Sequence, residues 1–130
     1  MTFPNDLRYT KDHEWVRPED DEAVVGITEY AQGELGDIVF VDLPEIGRML
    51  IQNQSFGTIE AVKAAADMFA PVSGEVVAVN GLLDHSPELI NKSPYEDGWI
   101  IRIKMKDDQE LDTLYEAAAY TKLIAKEKGD

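Results

Sequence analysis

Over the first hundred positions, apolar and polar residues alternate or gather in short runs separated by turn formers, a pattern that predicts strands rather than long helices. Glu14-Trp15-Val16-Arg17 and Ala23-Val24-Val25-Gly26-Ile27 are two β-prone runs. Pro18-Glu19-Asp20-Asp21-Glu22 separates them, so the pattern predicts a hairpin with a solvated acidic tip. Those acids lack the spacing and glycine of a calcium loop. Thr28 then suits the N-cap of a short helix over Glu29-Tyr30-Ala31-Gln32, stopped by Gly33 or Gly36. Gly36-Asp37-Ile38-Val39-Phe40-Val41-Asp42-Leu43-Pro44 reads as a buried-type strand closed by proline.

The pattern repeats. Gly36-Asp37-Ile38-Val39-Phe40-Val41-Asp42 matches Gly74-Glu75-Val76-Val77-Ala78-Val79-Asn80, 38 positions later. Downstream lie similar short runs, Leu50-Ile51-Gln52-Asn53 and Leu89-Ile90-Asn91, and then glycine-led strands, Gly57 to Val62 and Gly98 to Ile103. Two all-β halves in one small domain imply a sandwich or flattened barrel with approximate two-fold symmetry; two copies are too few for a solenoid. From Asp108 to Lys128 helix formers take over. Leu111, Leu114, Tyr115 and Ala118 keep a helical spacing, as do Tyr120, Leu123 and Ile124, and Lys122, Lys126 and Lys128 suit a helix C-terminus. The expected organisation is a single domain over residues 1–130, with a β body over about 7–106 and a C-terminal helical segment over about 108–128.

Charge narrows the function classes. The chain carries 26 acidic and 12 basic residues, a formal net charge of −14, and such a surface repels nucleic-acid phosphates and anionic lipid heads. It favours partners with basic patches. There is no cysteine, which removes disulfides, thiolate metal sites and a cysteine nucleophile, and only two histidines, so no metal site is expected. No apolar run approaches the ~20 residues of a membrane span, and the first residues lack the order of a signal or transit peptide. A cytoplasmic protein without nucleic-acid or membrane partners is therefore expected.

Candidate chemistry centres on Glu60-Ala61-Val62-Lys63-Ala64-Ala65-Ala66-Asp67-Met68 between the halves. Residues 61–68 alone are helix-prone. They also follow an alternating strand and precede Phe69-Ala70-Pro71, so a hairpin is equally consistent. In a hairpin Lys63 stands at the tip among small neighbours, with Glu60 and Asp67 as its local acids. A lone lysine is usually a solvated charge; small flanking residues on a tight turn are also what a modifying enzyme needs to reach an ε-amine. Ser73, Ser86 and Ser93 with His13 or His85 form no nucleophile elbow and read as turn residues, so no catalytic residue is expected. Trp15, Trp99, Phe40 and Phe69 read as core.

These segments resemble the glycine cleavage system H protein family. The resemblance rests on His13-Glu14-Trp15, Gly26-Ile27-Thr28, Leu35 to Val41, Leu43-Pro44, Gly47, Glu60-Ala61-Val62-Lys63-Ala64, Ala70 to Gly74, Asn80, Ser93-Pro94-Tyr95 and Gly98-Trp99, from about Leu7 to about Ile124. It implies a mainly β, flattened barrel-sandwich hybrid of the lipoyl/biotinyl type. It also implies lipoic acid in amide linkage on Lys63, within an attachment motif of Glu60, Val62, Ala64 and Gly74. Alanine at 61 and 66, where the family usually has serine, and Asn53, near where it often has glycine, are departures. Biotin carriers flank their lysine with methionine and acyltransferase lipoyl domains usually present Asp-Lys-Ala, so Val62-Lys63-Ala64 favours H protein.

The implied function is that of a non-catalytic shuttle. It takes an aminomethyl group from glycine decarboxylase (P protein) to aminomethyltransferase (T protein) and is reoxidised by dihydrolipoyl dehydrogenase (L protein), after modification by a lipoylating enzyme. Alternatives are a relay that donates lipoyl or octanoyl groups to other proteins, and an unmodified acidic interaction module. The loaded arm carries an ammonium at neutral pH and an S–CH₂–N centre prone to loss in water. Glu14, in the His13-Glu14-Trp15 motif, and Asp67, just after the lysine, are the acids expected to dock it.

Overall fold

Strand β1 spans Arg8–Tyr9, β2 Glu14–Glu19 and β3 Glu22–Ile27 in a computed structural model that describes residues 1–129. β2 and β3 pair antiparallel from Glu14↔Ile27 to Glu19↔Glu22, so the turn is Asp20-Asp21 alone and Pro18 belongs to the strand. Proline is tolerated there because β1 pairs only with Trp15 and Val16 and ends before it. The acidic tip is less solvated than its composition suggests. Glu19 lies 3.1 Å from Arg17 and 3.0 Å from Arg102, and Glu22 lies 3.2 Å from Arg102.

Helix α1 spans Glu29–Leu35. Thr28 caps it by accepting the Ala31 N–H at 3.2 Å, and Gly36 ends it at a φ of 84°, with Gly33 inside. Then follow β4 (Ile38–Asp42), β5 (Met49–Leu50), β6 (Ser55–Ala61), β7 (Ala65–Phe69), β8 (Gly74–Val79), the short helix α2 (Leu89–Lys92) and β9 (Ile101–Met105). The strands form a six-stranded sheet ordered β1-β2-β3-β9-β8-β5 and a three-stranded sheet ordered β4-β6-β7. The main core lies between them, with Val16, Val25, Ile103 and Val76 of one sheet against Ile38, Val41, Phe56 and Ile59 of the other. Helix α3 (Ala117–Glu127) covers the far side of the larger sheet, where Tyr120 stacks on Tyr9 at 4.6 Å above Trp15 and Val24.

The two halves foreseen in the sequence are real, and one irregularity shows it. β4 pairs with β6 through a bulge between Ile38 and Phe40, and β8 pairs with β9 through a bulge between Val76 and Ala78. Each bulge sits 38 residues from its counterpart. The pairing also corrects the reading of the second segment. Phe40 faces Glu60 and Ala78 faces Arg102, so the equivalent strands stand 42 residues apart rather than the 41 of the glycine-led match. The short runs between them are not equivalent: Leu50 ends a strand, whereas Leu89 begins α2.

Three further expectations are corrected. β4 is not a buried strand throughout, because its bulge turns consecutive residues outward and leaves Val39 and Phe40 54% and 52% exposed. Phe40 is therefore not core; Trp15 is fully buried, while Phe69 and Trp99 are half-buried. The C-terminal segment begins as a 3-10 helix over Asp108–Thr113, and Tyr115 is bridged to Tyr9 in extended form. The buried stripe of α3 is Ala117, Tyr120 and Ile124, so Ala118 faces out.

Candidate functional site

The helix-prone stretch around Lys63 is a hairpin, because residues 61–64 must reverse the chain between β6 and β7. Glu60 pairs with Ala65, the Ala61 N–H donates to the Ala64 carbonyl at 2.7 Å, and Val62 and Lys63 form the tip. The Val62 N–H donates to the Asp37 carbonyl at 3.0 Å, which fastens the tip to the end of α1. Val62, Lys63 and Ala64 are all exposed. The ion pairs of the described residues join Arg8, His13, Arg17 and Arg102 to acids elsewhere and leave the Lys63 ammonium free. Neither local acid binds it. Glu60 pairs across the sheet with Phe40, and Asp67 is exposed on β7.

The Lys63 stem lies over Gly36. A Cβ at position 36 would meet Lys63 Cε at 3.0 Å and Cδ at 3.6 Å, and the φ of 84° independently favours glycine there. Gly36 escaped the sequence reading as a site residue, although it opens the first repeat as Gly74 opens the second. Gly74 itself is not brought to the lysine. It sits on β8 in the other sheet, where a Cβ would come within 2.0 Å of the Lys104 carbonyl oxygen. Asn53, where the family often has glycine, adopts a φ of 74°, a conformation asparagine tolerates better than most residues.

Beside the hairpin lies a cavity of about 280 Å³. Tyr30, Ala31, Glu34 and Leu35 of α1 form one wall, Asp12 and His13 a second, and Ala66 of β7 closes it next to the lysine turn. Alanine at 66 makes that wall apolar. His13 is held by groups from distant parts of the chain. Its Nδ1 lies 2.8 Å from Tyr120 Oη and its Nε2 3.1 Å from Glu127 Oε2, and Tyr120 Oη also lies 2.9 Å from Thr28 Oγ1. These wall residues were not foreseen individually. Their sequence signal is weak: a seven-residue helix that buries none of its residues yet presents Tyr30, Ala31 and Leu35.

Glu14 is not a surface acid. It is 2% exposed; its Oε1 accepts from Thr10 Oγ1 and its Oε2 accepts the Phe69 N–H at 3.2 Å. The second bond ties β2 to β7, the strand that carries Ala66 and Asp67. No cation neutralises Glu14 among the described ion pairs, and burial pushes its carboxyl up to about 7 against the pull of the two hydrogen bonds. Strand alternation puts Asp67 on the face opposite Ala66, so β7 separates Asp67 from the cavity. Among the described residues no cluster of His, Asp or Glu could hold a metal, and no helix is long and apolar enough to cross a membrane.

A lysine on an exposed turn, its stem lying over Gly36 at the end of α1, with a cavity beside the turn and the buried Glu14 next to His13 of its wall, suits a tethered carrier arm. Comparison with known proteins decides the family: the profile described as Glycine cleavage H-protein matches residues 7–127. The chain belongs to the glycine cleavage H-protein family. It is 51% identical over 124 residues to the glycine cleavage system H protein of Brevibacillus brevis, covering 95% of this chain and 98% of that one. It is 54% identical over 117 residues to the H protein of Symbiobacterium thermophilum, covering 90% and 91%. The crystal structure of a glycine cleavage system H protein from Mycobacterium marinum superposes with a TM-score of 0.84 at 35% identity, covering 98% of this chain and all of that one. The barrel-sandwich architecture expected from the sequence is thus the H-protein fold. As an H protein the chain is a non-catalytic aminomethyl shuttle of the glycine cleavage system, in a family that carries a lipoyl group.

Proposed function

We propose that Lys63 bears the lipoyl group, as an amide on its ε-amine, that residues 60–64 are the turn the lipoylating enzyme recognises, and that Gly74, buried in the other sheet, serves the attachment motif by letting β8 pack closely on β9 rather than by meeting the enzyme. The observation that supports this is the free Lys63 ammonium on a tight, exposed turn whose neighbours, Val62 and Ala64, leave an enzyme room to approach. When attached, the dithiolane supplies the sulfur that takes the aminomethyl cargo. The chain supplies position and shelter. Gly36 lets the lysine stem lie flat, and the wall formed by α1, His13 and Ala66 excludes water from the arm. Glu14, buried without a cation, accepts a hydrogen bond from the cargo ammonium when the arm lies in the cavity, and Asp67, on the opposite face of β7, accepts one when the arm lies outside it. The chain visits P protein, T protein and L protein in turn, and a cysteine-free protein with this cargo suits the cytoplasm.

Intact mass and peptide mapping after expression with lipoate test the attachment. The expected result is one lipoyl group on Lys63, and a Lys63→Arg variant that folds, stays unmodified and supports no glycine cleavage. Lipoylation on another lysine, or persisting in the variant, refutes the assignment.

A further inference from the structure

The outer face of the three-stranded sheet is bare, and it adjoins the lysine hairpin. Val39 and Phe40 project from β4 at its bulge; Val62, 77% exposed, stands on the hairpin tip. Leu82, 63% exposed, stands on the 3-10 turn Gly81–Asp84, which packs against β4. Apolar side chains exposed together beside a modification site call for a reason beyond folding.

The internal symmetry provides a control. The residues equivalent to Val39 and Phe40 are Val77 and Ala78, at the matching bulge of β8, and both are half-buried. The cross-strand pair Phe40↔Glu60 of the lysine half is Ala78↔Arg102 in the other half. A bulge by itself therefore leaves no such patch. The half that carries the lysine has a large aromatic and an acid where its twin has a small residue and a base.

Charge identifies what fits. Asp37, Asp42, Glu60 and Asp84 rim the patch; all are exposed and none belongs to the ion pairs of the described residues. Glu19, Glu22, Glu116 and Glu127, away from this face, are paired. An apolar centre in an unneutralised acidic rim repels a membrane of anionic lipid and a second copy of itself. It complements a protein surface with an apolar recess ringed by lysine and arginine. We propose that Val39, Phe40, Val62 and Leu82 form the docking face for such a partner, an enzyme of the glycine cleavage system that acts on the arm. This rests on the carrier reading of Lys63.

The test uses lipoylated full-length protein with glycine decarboxylase and aminomethyltransferase from the same source, measuring rate against carrier concentration. Phe40→Ser and, from a different segment, Leu82→Ser are expected to leave lipoylation and the saturating rate at the parent's level. Each is expected to raise the half-saturating concentration about tenfold with at least one enzyme, the loss typical of an interface anchor. Unchanged half-saturation in both variants with both enzymes overturns the docking face. So does a parent that sediments as a dimer and is made monomeric by Phe40→Ser, because a second copy is then the occupant. A parent that becomes lipoylated but supports no turnover refutes the carrier reading instead.

Discussion

A carboxylate removed from water without a counter-cation favours its neutral form, and Glu14 shows the consequence at the scale of one residue. Burial pushes its carboxyl up to about 7 from the ordinary 4.5, so between the two the folded state binds more protons than the unfolded chain. Stability therefore falls as pH rises through that window. At about 1.4 kcal/mol per pH unit, charging Glu14 costs the fold on the order of 3 kcal/mol. Glu14→Gln is expected to flatten this dependence, read as urea midpoints across the same window. With the cargo docked as proposed, loading is expected to reverse the sign, because an ammonium beside Glu14 would stabilise its charged form. Glu14→Gln and Asp67→Asn are expected to accept lipoate normally but to lose ammonia and formaldehyde from the loaded arm faster than the parent. The Glu14→Gln excess should shrink as pH falls and Glu14 of the parent becomes protonated; decay at the parent's rate in both variants and in the double variant refutes the docking role. Gly36 gives a second residue-scale expectation. Gly36→Ala places a side chain at positive φ and pushes the Lys63 stem aside, so a loss of about 1 kcal/mol in stability and slower lipoylation should appear together.

At the scale of elements, α3 shapes the cavity without lining it. Tyr120 spans from α3 to Thr28, the cap of α1, and to His13, the cavity wall. Tyr120→Phe keeps the stack on Tyr9 and removes both bonds, so it is expected to cost about 1–2 kcal/mol by thermal unfolding and to speed decay of the loaded arm. Decay at the parent's rate with stability still lost would show that the hydroxyl acts on the fold alone. None of this coupling was legible in the sequence, because Thr28, His13 and Tyr120 meet only through tertiary packing. The elements themselves were largely legible. Thr28 announces the start of α1, Gly36 is one of two glycines offered for its end, and the repeat announces the halves. The hairpin at Lys63 was legible only as one of two options, because its alanines favour a helix and the flanking strand pairing overrides them. The outward turn of Phe40 was hidden because a bulge shifts the alternation by one residue and leaves composition unchanged. Glu14 was legible as a candidate docking acid but its burial was not, because that is set by Thr10 and by Phe69, 55 residues away.

Across the whole molecule, the net charge of −14 acts through where its acids remain unpaired. A carrier that serves several enzymes in turn gains from fast encounter and prompt release, and long-range attraction provides the first without tightening the second. Rates at low carrier concentration should therefore fall as salt rises, since the field is screened within roughly 8 Å at physiological ionic strength. The location of the effect distinguishes two sources. If net charge alone mattered, reversing Asp20 and Asp21 at the β2–β3 turn would cost as much as reversing Asp42 and Glu60. The β2–β3 tip, however, already holds Glu19 and Glu22 against Arg17 and Arg102, whereas Glu60 stands unneutralised beside the lysine hairpin and Asp42 unneutralised farther along the same sheet. Asp42→Lys with Glu60→Lys is expected to slow encounter severalfold at low salt and to flatten the salt dependence; Asp20→Lys with Asp21→Lys is expected to change both much less. Stopped-flow rates with glycine decarboxylase over a salt series decide it. Equal losses from the two pairs would make steering a property of net charge, and rates independent of salt in the parent would remove steering altogether.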